Sequence, residues 1–209
     1  MEYISDLGDY LSKRLSSYLL VSSYEKGCLI IKVEEKALYN ILSFLQHDTY
    51  CQFEQLVDLV VLDQPDQEER FKLIYILQSF KENKRIHIVT HTNSEASSIV
   101  EIYKSAAWLE REAWEMFGVF FKNNKDLRNL LTDHLLVGNP LRKDFPVSGF
   151  SDLVFDASDN NFSFTPLSLL QEHRLFNLEN PWKGPNLFQK TSENNEEALE
   201  IIEEVLDES

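Results

Sequence analysis

Apolar residues near the start of the chain have the spacing of a helix. Between Tyr3 and Leu20 such residues recur every three or four positions, which predicts an amphipathic helix. Its apolar side consists of Ile4, Leu7, Leu11, Leu15 and Tyr18. A polar turn from Ser22 to Gly27 is expected next, followed by a strand from Cys28 to Val33. Glu34 to His47 returns to helical spacing. Its predicted buried residues are Leu38, Ile41, Leu42 and Leu45.

Three strand-like runs then follow one another with short turns between them. They span Phe53 to Leu62, Phe71 to Gln78 and Arg85 to Thr90, and each is rich in β-branched or aromatic residues. Ile86 and Ile88 are expected to face inward. Short turns favour an antiparallel meander, which the earlier strand would join. The predicted fold class is therefore α+β, with a mostly antiparallel sheet, helices packed on one face, and an extended C-terminal tail.

Aromatic and charged residues are concentrated between Trp108 and Phe150. A helix is expected to lead into this stretch from Ser97 to Trp108. Ala106 to Met116 lacks Gly and Pro, and Gly118 stands where a left-handed residue would end a helix. The sequence therefore predicts a short helix that ends at Gly118.

Two further elements are expected in the same stretch. Asp126 predicts the N-cap of a second short helix, which would carry Leu127, Leu130 and Leu131. Leu141 to Asp144 has no periodicity and is expected to form an extended ordered loop, either strapped to its own core or presented to a neighbour. Spacing alone does not separate a partner surface from an ordinary core with a solvated rim, and the core is the commoner case.

An ordered series of residues in this stretch resembles the signature of a known family. The series is Glu110-Arg111-Glu112, Trp114-Glu115-Met116-Phe117-Gly118-Val119, Asp126-Leu127-Arg128, Leu130-Leu131-Thr132-Asp133, Gly138, Pro140-Leu141-Arg142-Lys143-Asp144-Phe145-Pro146 and Gly149. It is similar to the 30-kilodalton subunit family of respiratory complex I, the proton-pumping NADH:quinone oxidoreductase. The chain departs from the family's common residues at Asn123-Asn124, His134-Leu135-Leu136 and Asn139. The resemblance is weak beyond Phe150.

The resemblance implies a structural subunit with no catalytic, cofactor-binding or metal-binding residues of its own. It implies a place in the hydrophilic arm of complex I, against the 49-kilodalton subunit that helps form the quinone site. Other subunits would bind FMN, iron–sulfur clusters and quinone, and would carry electrons from NADH to quinone with coupled proton pumping. The expected interface residues are Glu110, Arg111, Glu112, Trp114, Phe117, Gly118, Asp126, Arg128, Asp133, Pro140, Leu141, Arg142, Lys143, Asp144, Phe145 and Pro146.

Within that interface, aromatic side chains are expected to act as buried anchors and basic side chains to bind acidic groups of the partner. The expected anchors are Trp114, Phe117 and Phe145. Two alternatives stay open. A related domain occurs in membrane-bound hydrogenase complexes, where the assembly role would be the same, and a free-standing acidic adaptor protein is the third possibility.

Length and charge limit the other possibilities. The 209 residues suffice for one domain, expected over residues 1–150, and an extension over 151–209. The formal net charge is −15, from 35 acidic and 20 basic residues, so nucleic acid is an unsuitable partner. Glu193 to Glu208 contains eight acidic and no basic residues, and two interpretations stay open, a terminal helix that docks on a basic partner and a solvated, fraying terminus.

Candidate chemistry is sparse. Cys28 and Cys51 form no C-x-x-C pair, so no iron–sulfur cluster is expected in this chain. His87 and His91 share a strand face, but the sequence offers no third metal ligand. The glutamates of the predicted signature helix do not converge as a general acid–base pair would. We therefore assign no catalytic residue.

The sequence also bears on location. The longest apolar run, Leu73 to Leu77, is the length of a strand and far too short to span a membrane. The amino-terminal residues are too acidic for a secretory signal or an organellar presequence. The resemblance implies a location on the matrix side of the mitochondrial inner membrane, as a peripheral subunit, or on the cytoplasmic face of a bacterial inner membrane.

Overall fold

The computed structural model describes residues 2–15, 19–25, 27–134 and 136–169, together with 171, 174 and 176. Its helices are α1 (Glu2–Arg14), α2 (Glu35–His47) and α3 (Ala106–Phe117). Its strands are β1 (Leu19–Glu25), β2 (Cys28–Val33), β3 (Gln55–Asp63), β4 (Phe71–Ser79), β5 (Lys84–Thr92), β6 (Glu95–Ser97), β7 (Phe120–Lys122), β8 (Ser151–Asp156) and β9 (Asn161–Pro166). Met1–Leu167 forms one unit, which contains all these elements, and Ser168–Ser209 forms a second.

A five-stranded sheet, in the order β1-β2-β5-β4-β3, is the centre of the first unit. β3, β4 and β5 pair antiparallel, which confirms the predicted meander. β2 pairs antiparallel with β1 but parallel with β5. The parallel pair arises because α2 carries the chain from β2 to the far edge of the sheet, from which the meander returns. The predicted α+β class is confirmed, with one parallel pairing in a mostly antiparallel sheet.

The helices pack on one face of this sheet and form a single core with it. The predicted inner side of α2 is confirmed, because Leu38, Ile41, Leu42 and Leu45 are all fully buried. Alternate residues of β4 and β5 face these helices. They include Leu73, Tyr75, Leu77, Ile86 and Ile88, each with 0% of its surface exposed.

The first predicted helix is too long. α1 ends at Arg14, and Leu19–Glu25 forms strand β1, where the sequence predicts the end of a helix and a polar turn. β1 pairs with β2 along the edge of the sheet, with Ser22 opposite Ile31 and Ser23 opposite Ile30. Polar residues suit an edge strand with a solvated side, so the serines signal an edge here and not a turn.

The predicted helix from Ser97 to Trp108 is wrong over its first part. Residues 98 and 99 are irregular, turns occupy 100–102 and 104–105, and α3 begins only at Ala106. Backbone groups that a helix would use are bonded to other parts of the chain here. The Ser98 N–H donates to Lys122 O at 2.9 Å, next to the short β6–β7 pair. The Ile99 N–H likewise donates to the carboxylate of Glu110, at 2.8 Å.

Beyond α3 the predicted second helix is absent, since none of the residues from Asp126 to Asp133 is helical. Leu141–Asp144 is a loop as predicted, but it consists of successive turns and is not extended. β8 and β9 form a two-stranded hairpin just past the signature, where the sequence gives only an extended tail. The segment from Glu193 to Glu208, for which a terminal helix is one interpretation, lies outside the described residues.

Core packing beneath α2 gives a direct stability prediction. Leu42→Ala should lower the free energy of unfolding by about 2–5 kcal/mol, because it removes a fully buried side chain and leaves a cavity. Asn40→Ala, on the exposed side of the same helix, should change it by less than about 0.5 kcal/mol. Urea unfolding of both variants measures the difference. Equal losses would contradict the packing described for α2.

Candidate functional site

The signature begins on α3, whose end is fixed by a glycine. The helix contains neither Gly nor Pro, and Gly118 follows it in the left-handed conformation with φ at 77°. The Gly118 N–H donates to Trp114 O at 2.8 Å and satisfies the first of the four carbonyls that a helix end leaves unpaired. The predicted helix and its glycine stop are therefore confirmed.

The remaining three carbonyls at the end of α3 are capped by one distant loop. The bonds run from Asn139 Nδ2 to Glu115 O at 2.9 Å, from the Leu141 N–H to Met116 O at 3.1 Å, and from Arg142 Nε to Phe117 O at 2.5 Å. The guanidinium also places a positive charge at the negative end of the helix dipole. The loop thus folds as the cap of α3, and this explains why the two parts of the signature occur together.

Gly118 is required for a second reason. A Cβ atom built there would lie 2.2 Å from Arg142 Nη2 and 2.6 Å from Asn139 Oδ1, so a side chain would displace both capping groups. Gly138 has φ at 106°, and a Cβ there would lie 2.9 Å from the ring of Phe145. Both glycines therefore allow the loop to approach its support closely.

Glu115 organises the segment in which a second helix was predicted. Its carboxylate accepts hydrogen bonds from the N–H groups of Leu130, Leu131 and Thr132, at 2.8, 3.0 and 2.6 Å, and from the Thr132 hydroxyl. A carboxylate that binds three successive N–H groups holds them in a turn, so Asp126 caps no helix here. Burial alone would raise the pKa of Glu115, but these hydrogen bonds outweigh it, and the net pKa is lowered.

Glu110 plays an opposite electrostatic role on the same helix. Its side chain is fully buried and accepts hydrogen bonds from the Ser98 hydroxyl at 2.7 Å, the Ile99 N–H at 2.8 Å and Asn124 Nδ2 at 2.9 Å. Burial raises its pKa, and the three hydrogen bonds offset that rise only in part. Glu110 therefore joins the turn before α3 to the end of β7.

Arg111 and Arg128 make internal contacts. Arg111 donates to Arg128 O at 2.9 Å and to Asn129 O at 3.0 Å, which holds the segment after β7 against α3. Arg128 is exposed and pairs through two hydrogen bonds with Asp126, at 2.7 and 2.8 Å. The Arg128 guanidinium is the main reason that the pKa of Asp126 falls to about 2.

The Arg-Lys-Asp triplet is tied to the sheet, which is the first of the two possibilities that the sequence left open, and contact with a neighbour stays a prediction. Asp63, buried at the end of β3, accepts the Lys143 N–H at 2.7 Å and a two-point contact from Arg70 at 2.6 and 2.8 Å. Arg70 reaches Asp144 at 2.9 Å. The Arg142 guanidinium lies 5.3 Å from the centroid of the Phe71 ring. The loop is strapped to its own core.

The predicted interface residues divide into supporting and outward-facing groups. Glu110 is buried, and the half-buried residues are Arg111, Trp114, Phe117, Gly118, Asp126, Pro140, Arg142, Phe145 and Pro146. Trp114 and Phe117 pack against the domain core. The exposed residues are Glu112, Arg128, Asp133, Leu141, Lys143 and Asp144. Whether any of these touches a partner stays a prediction.

Exposed apolar side chains are the feature that sequence reasoning missed, except at Leu141, which is among the expected interface residues. Five of them lie on the loops of the signature, with 52% to 100% of their surface exposed. They are Leu131, Val137, Leu141, Val147 and Phe150. We call these five the signature surface. The sequence signal was their position between Gly and Pro residues, where no periodic element could bury them. A loop held rigidly by hydrogen bonds while it displays apolar side chains is characteristic of a contact surface.

The described residues contain no cluster of metal ligands, and their buried cysteine is protonated. No group of three or more His, Cys, Asp or Glu side chains in that part of the chain is placed to hold a metal ion. Burial, followed by the nearby Asp48 carboxylate, raises the pKa of the Cys51 thiol to about 12, which makes it unreactive. No described helix is long and apolar enough to cross a membrane.

Fold and site together define an α+β domain that displays an ordered, largely apolar loop surface. A family model described as "Respiratory-chain NADH dehydrogenase, 30 Kd subunit" matches residues 31–151. The chain therefore belongs to the 30-kilodalton subunit family of respiratory-chain NADH dehydrogenase, as its signature predicted.

Individual relatives agree with this assignment. NADH-ubiquinone oxidoreductase subunit 9 of Acanthamoeba castellanii is 43% identical over 83% of this chain and 89% of its own length. A subunit of the NADH-quinone oxidoreductase of Paramagnetospirillum magneticum is 36% identical over 88% of this chain and 94% of its own length. Ubiquinone-type and quinone-type oxidoreductases thus both contain a subunit that is similar to this chain.

Solved structures share the fold. A trypsin-resistant fragment of Nqo5 aligns with a TM-score of 0.50 and 23% identity, over 58% of this chain and 98% of the fragment. A chain of the membrane-bound sulfane sulfur reductase, an archaeal respiratory membrane complex, aligns with a TM-score of 0.59 and 20% identity, over 70% of this chain and 86% of that chain. At these identities the likeness establishes the fold alone.

The helix cap is tested by two alanine substitutions at glycines of matched conformation. Gly149 has φ at 73° and nothing within 4 Å of a built Cβ. Gly149→Ala should therefore lower the free energy of unfolding only by the cost of holding an alanine in the left-handed conformation, about 1–2 kcal/mol. Gly118→Ala should cost at least about 1 kcal/mol more, because Arg142 and Asn139 must withdraw from the carbonyls they cap. Urea unfolding measures both, and equal losses would contradict the cap.

The Glu115 network is tested through pH. Because its folded-state pKa is lowered, Glu115 stabilises the fold above its unfolded-state pKa, and this contribution is lost as pH falls through the folded value. Glu115→Gln should lower the free energy of unfolding at pH 7 by about 1–3 kcal/mol and flatten the loss of stability below about pH 4.5. Glu112→Gln, at an exposed position of α3, is the control. If Glu115→Gln lost stability at acid pH as steeply as the original protein, the Glu115 network would be contradicted.

Proposed function

We propose that this chain is a non-catalytic structural subunit of the hydrophilic arm of an NADH:quinone oxidoreductase, and that it docks on the 49-kilodalton subunit that helps form the quinone site. One observation carries the proposal. The loops of the signature are held by the end of α3, by Glu115 and by Asp63, yet they turn five apolar side chains outward. Membership of the family indicates the kind of assembly in which a partner subunit would cover this surface.

The docking surface would be rigid before it meets its partner. The loop backbone is fixed by bonds to α3 and β3, so little conformational entropy remains to be lost on binding. Leu141 and Val147 supply exposed apolar area, while Phe145 supports Phe150 through an edge-to-face contact with ring centroids 5.3 Å apart. Lys143 and Arg128 lie at the charged rim, where they would orient the partner.

Electron transfer would be carried by other subunits. Two of the three carboxylates of α3, Glu110 and Glu115, are occupied as structural acceptors, and polar groups of the signature loop serve as caps and straps. We infer that FMN, the iron–sulfur clusters and quinone are held elsewhere in the assembly, and that this chain supports their arrangement. It would sit peripherally on the matrix side of the mitochondrial inner membrane or the cytoplasmic side of a bacterial one, and so contribute to proton pumping only through assembly.

Charge placed on the signature surface should prevent docking without unfolding the domain. Val147 is 100% exposed, so Val147→Glu should leave the free energy of unfolding within about 0.5 kcal/mol of the original. In a native gel of gently solubilised membranes, stained for NADH dehydrogenase activity, the variant should be reduced at least tenfold in the large active band. The carboxylate would have to be desolvated against an apolar partner surface.

Phe80→Glu is the matched control. Phe80 is 61% exposed and follows β4 at the end opposite Phe71, far from the signature loop, and the variant should join the large band normally. Normal incorporation of Val147→Glu would refute docking through the signature surface. Migration of the unmodified chain as a small soluble species would refute the subunit role itself.

A further inference from the structure

One face of the five-stranded sheet is left uncovered by the helices. The three helices pack on the side formed by Leu29, Ile31, Leu73 and their neighbours, all members of one buried cluster. Along β2, β4 and β5 every second residue points to the other side, and most of these residues are half-buried. Among the residues that the structure describes, no helix covers this second side of the sheet.

The centre of this open side is aliphatic. Pairing places Val89 beside Ile74, and Ile74 beside Val60, across β5, β4 and β3. The next row places Ile30 and Ile76 on either side of His87. A sheet with one solvated face ordinarily alternates apolar residues inward with polar residues outward. Here Val60, Ile74 and Val89 form one contiguous row of outward positions, in which Val89 is buried and the other two are half-buried. The other outward positions of β5 are polar.

Basic side chains border the aliphatic centre. Lys32 lies beside Val89, and Lys72 lies beside His91 and Leu62, on the same open side. Lys72 and Lys32 are close enough to His91 to lower its pKa, after the larger effect of burial. We define the open-face patch as Ile30, Val60, Ile74, Ile76 and Val89 with Lys32 and Lys72. Carboxylates also border the patch, since Asp58 lies beside Ile76 and Glu69 acts to raise the pKa of His91. On a chain with a net charge of −15, Lys32 and Lys72 concentrate positive charge at the Val89 end of the patch.

We propose that the open-face patch binds an amphipathic segment of another protein in the same assembly, with aliphatic side chains over Ile74 and Ile76 and carboxylates against Lys32 and Lys72. Charge complementarity selects this occupant. A second copy would bring together two chains that each have a net charge of −15, and the same net charge repels nucleic acid. The proposal requires that the chain enters a larger assembly, but not that it does so through the signature surface.

Thiol alkylation at the centre of the patch tests for an occupant. The native thiols are Cys28, which is replaced by Ser, and Cys51, which is buried. In this background Ile74→Cys supplies one reporter, and the rate of its reaction with N-ethylmaleimide is measured by mass spectrometry. The rate in the large assembly, cut from the native gel, should be at least tenfold lower than in the isolated chain. Equal rates would overturn the proposal.

Charge reversal tests the nature of the occupant. Lys32→Glu with Lys72→Glu, added to the reporter chain, should restore fast alkylation in the assembly or remove the chain from it. Lys36→Glu, an exposed position on the helix-covered side, makes the same kind of change and should leave the protection intact. Protection that survives the double reversal would overturn the acidic occupant.

The isolated chain distinguishes the other occupants. Slow alkylation that becomes fast on dilution would place a second copy on the patch. Slow alkylation at every dilution would mean that the chain itself closes the face. Either result would overturn the proposal. Failure of the proposed docking surface is a separate outcome, because it is read from the incorporation of Val147→Glu and not from the reactivity of Cys at position 74.

Discussion

The unpaired carbonyls at the end of α3 are the constraint on which the signature region depends. Four carbonyl groups face a partly buried environment in which leaving them unsatisfied would be costly. One is bonded within the helix stop at Gly118, and a loop more than twenty residues further along supplies the other three donors. The close approach of that loop needs a residue without a Cβ at position 118. Helix, glycine and loop thus form one structural unit, although the sequence between them lacks regular structure apart from β7.

Two glutamates on α3 illustrate how environment divides one residue type into two roles. Glu115 faces three backbone N–H groups and a hydroxyl, so the fold favours its charged form. Glu110 is surrounded by apolar core, and its three hydrogen bonds do not fully offset desolvation. The raised pKa of Glu110 costs stability as pH rises through and above its unfolded-state value, whereas the lowered pKa of Glu115 adds stability in the same range. Their effects on pH dependence therefore oppose each other.

Much of the fold was predictable from the sequence, because the meander and α2 have strong periodicity and their core faces follow from it. The errors lie where a polar group from distant sequence overrides local preference. Asp126 looks like an N-cap, but Glu115 holds residues 130–132 in a turn, and no local pattern reveals that contact. Ser22 and Ser23 suggest a turn because nothing local indicates an edge strand. The sequence predicts that Arg142 contacts a partner, yet its Nε donates to Phe117 O and caps α3. Such pairings are set by tertiary structure.

These internal bonds change how a partner surface on this domain should be sought. The charged residues of the signature are largely used to hold the loop in place, so their presence in the motif reflects folding as much as recognition. What remains available for contact is the apolar surface that the loop is built to display. Val147 illustrates this separation, since it is fully exposed beside Pro146 and supports nothing internal. Residues that position a surface and residues that compose it are therefore different sets, and substitution of the first set tests stability before it tests docking.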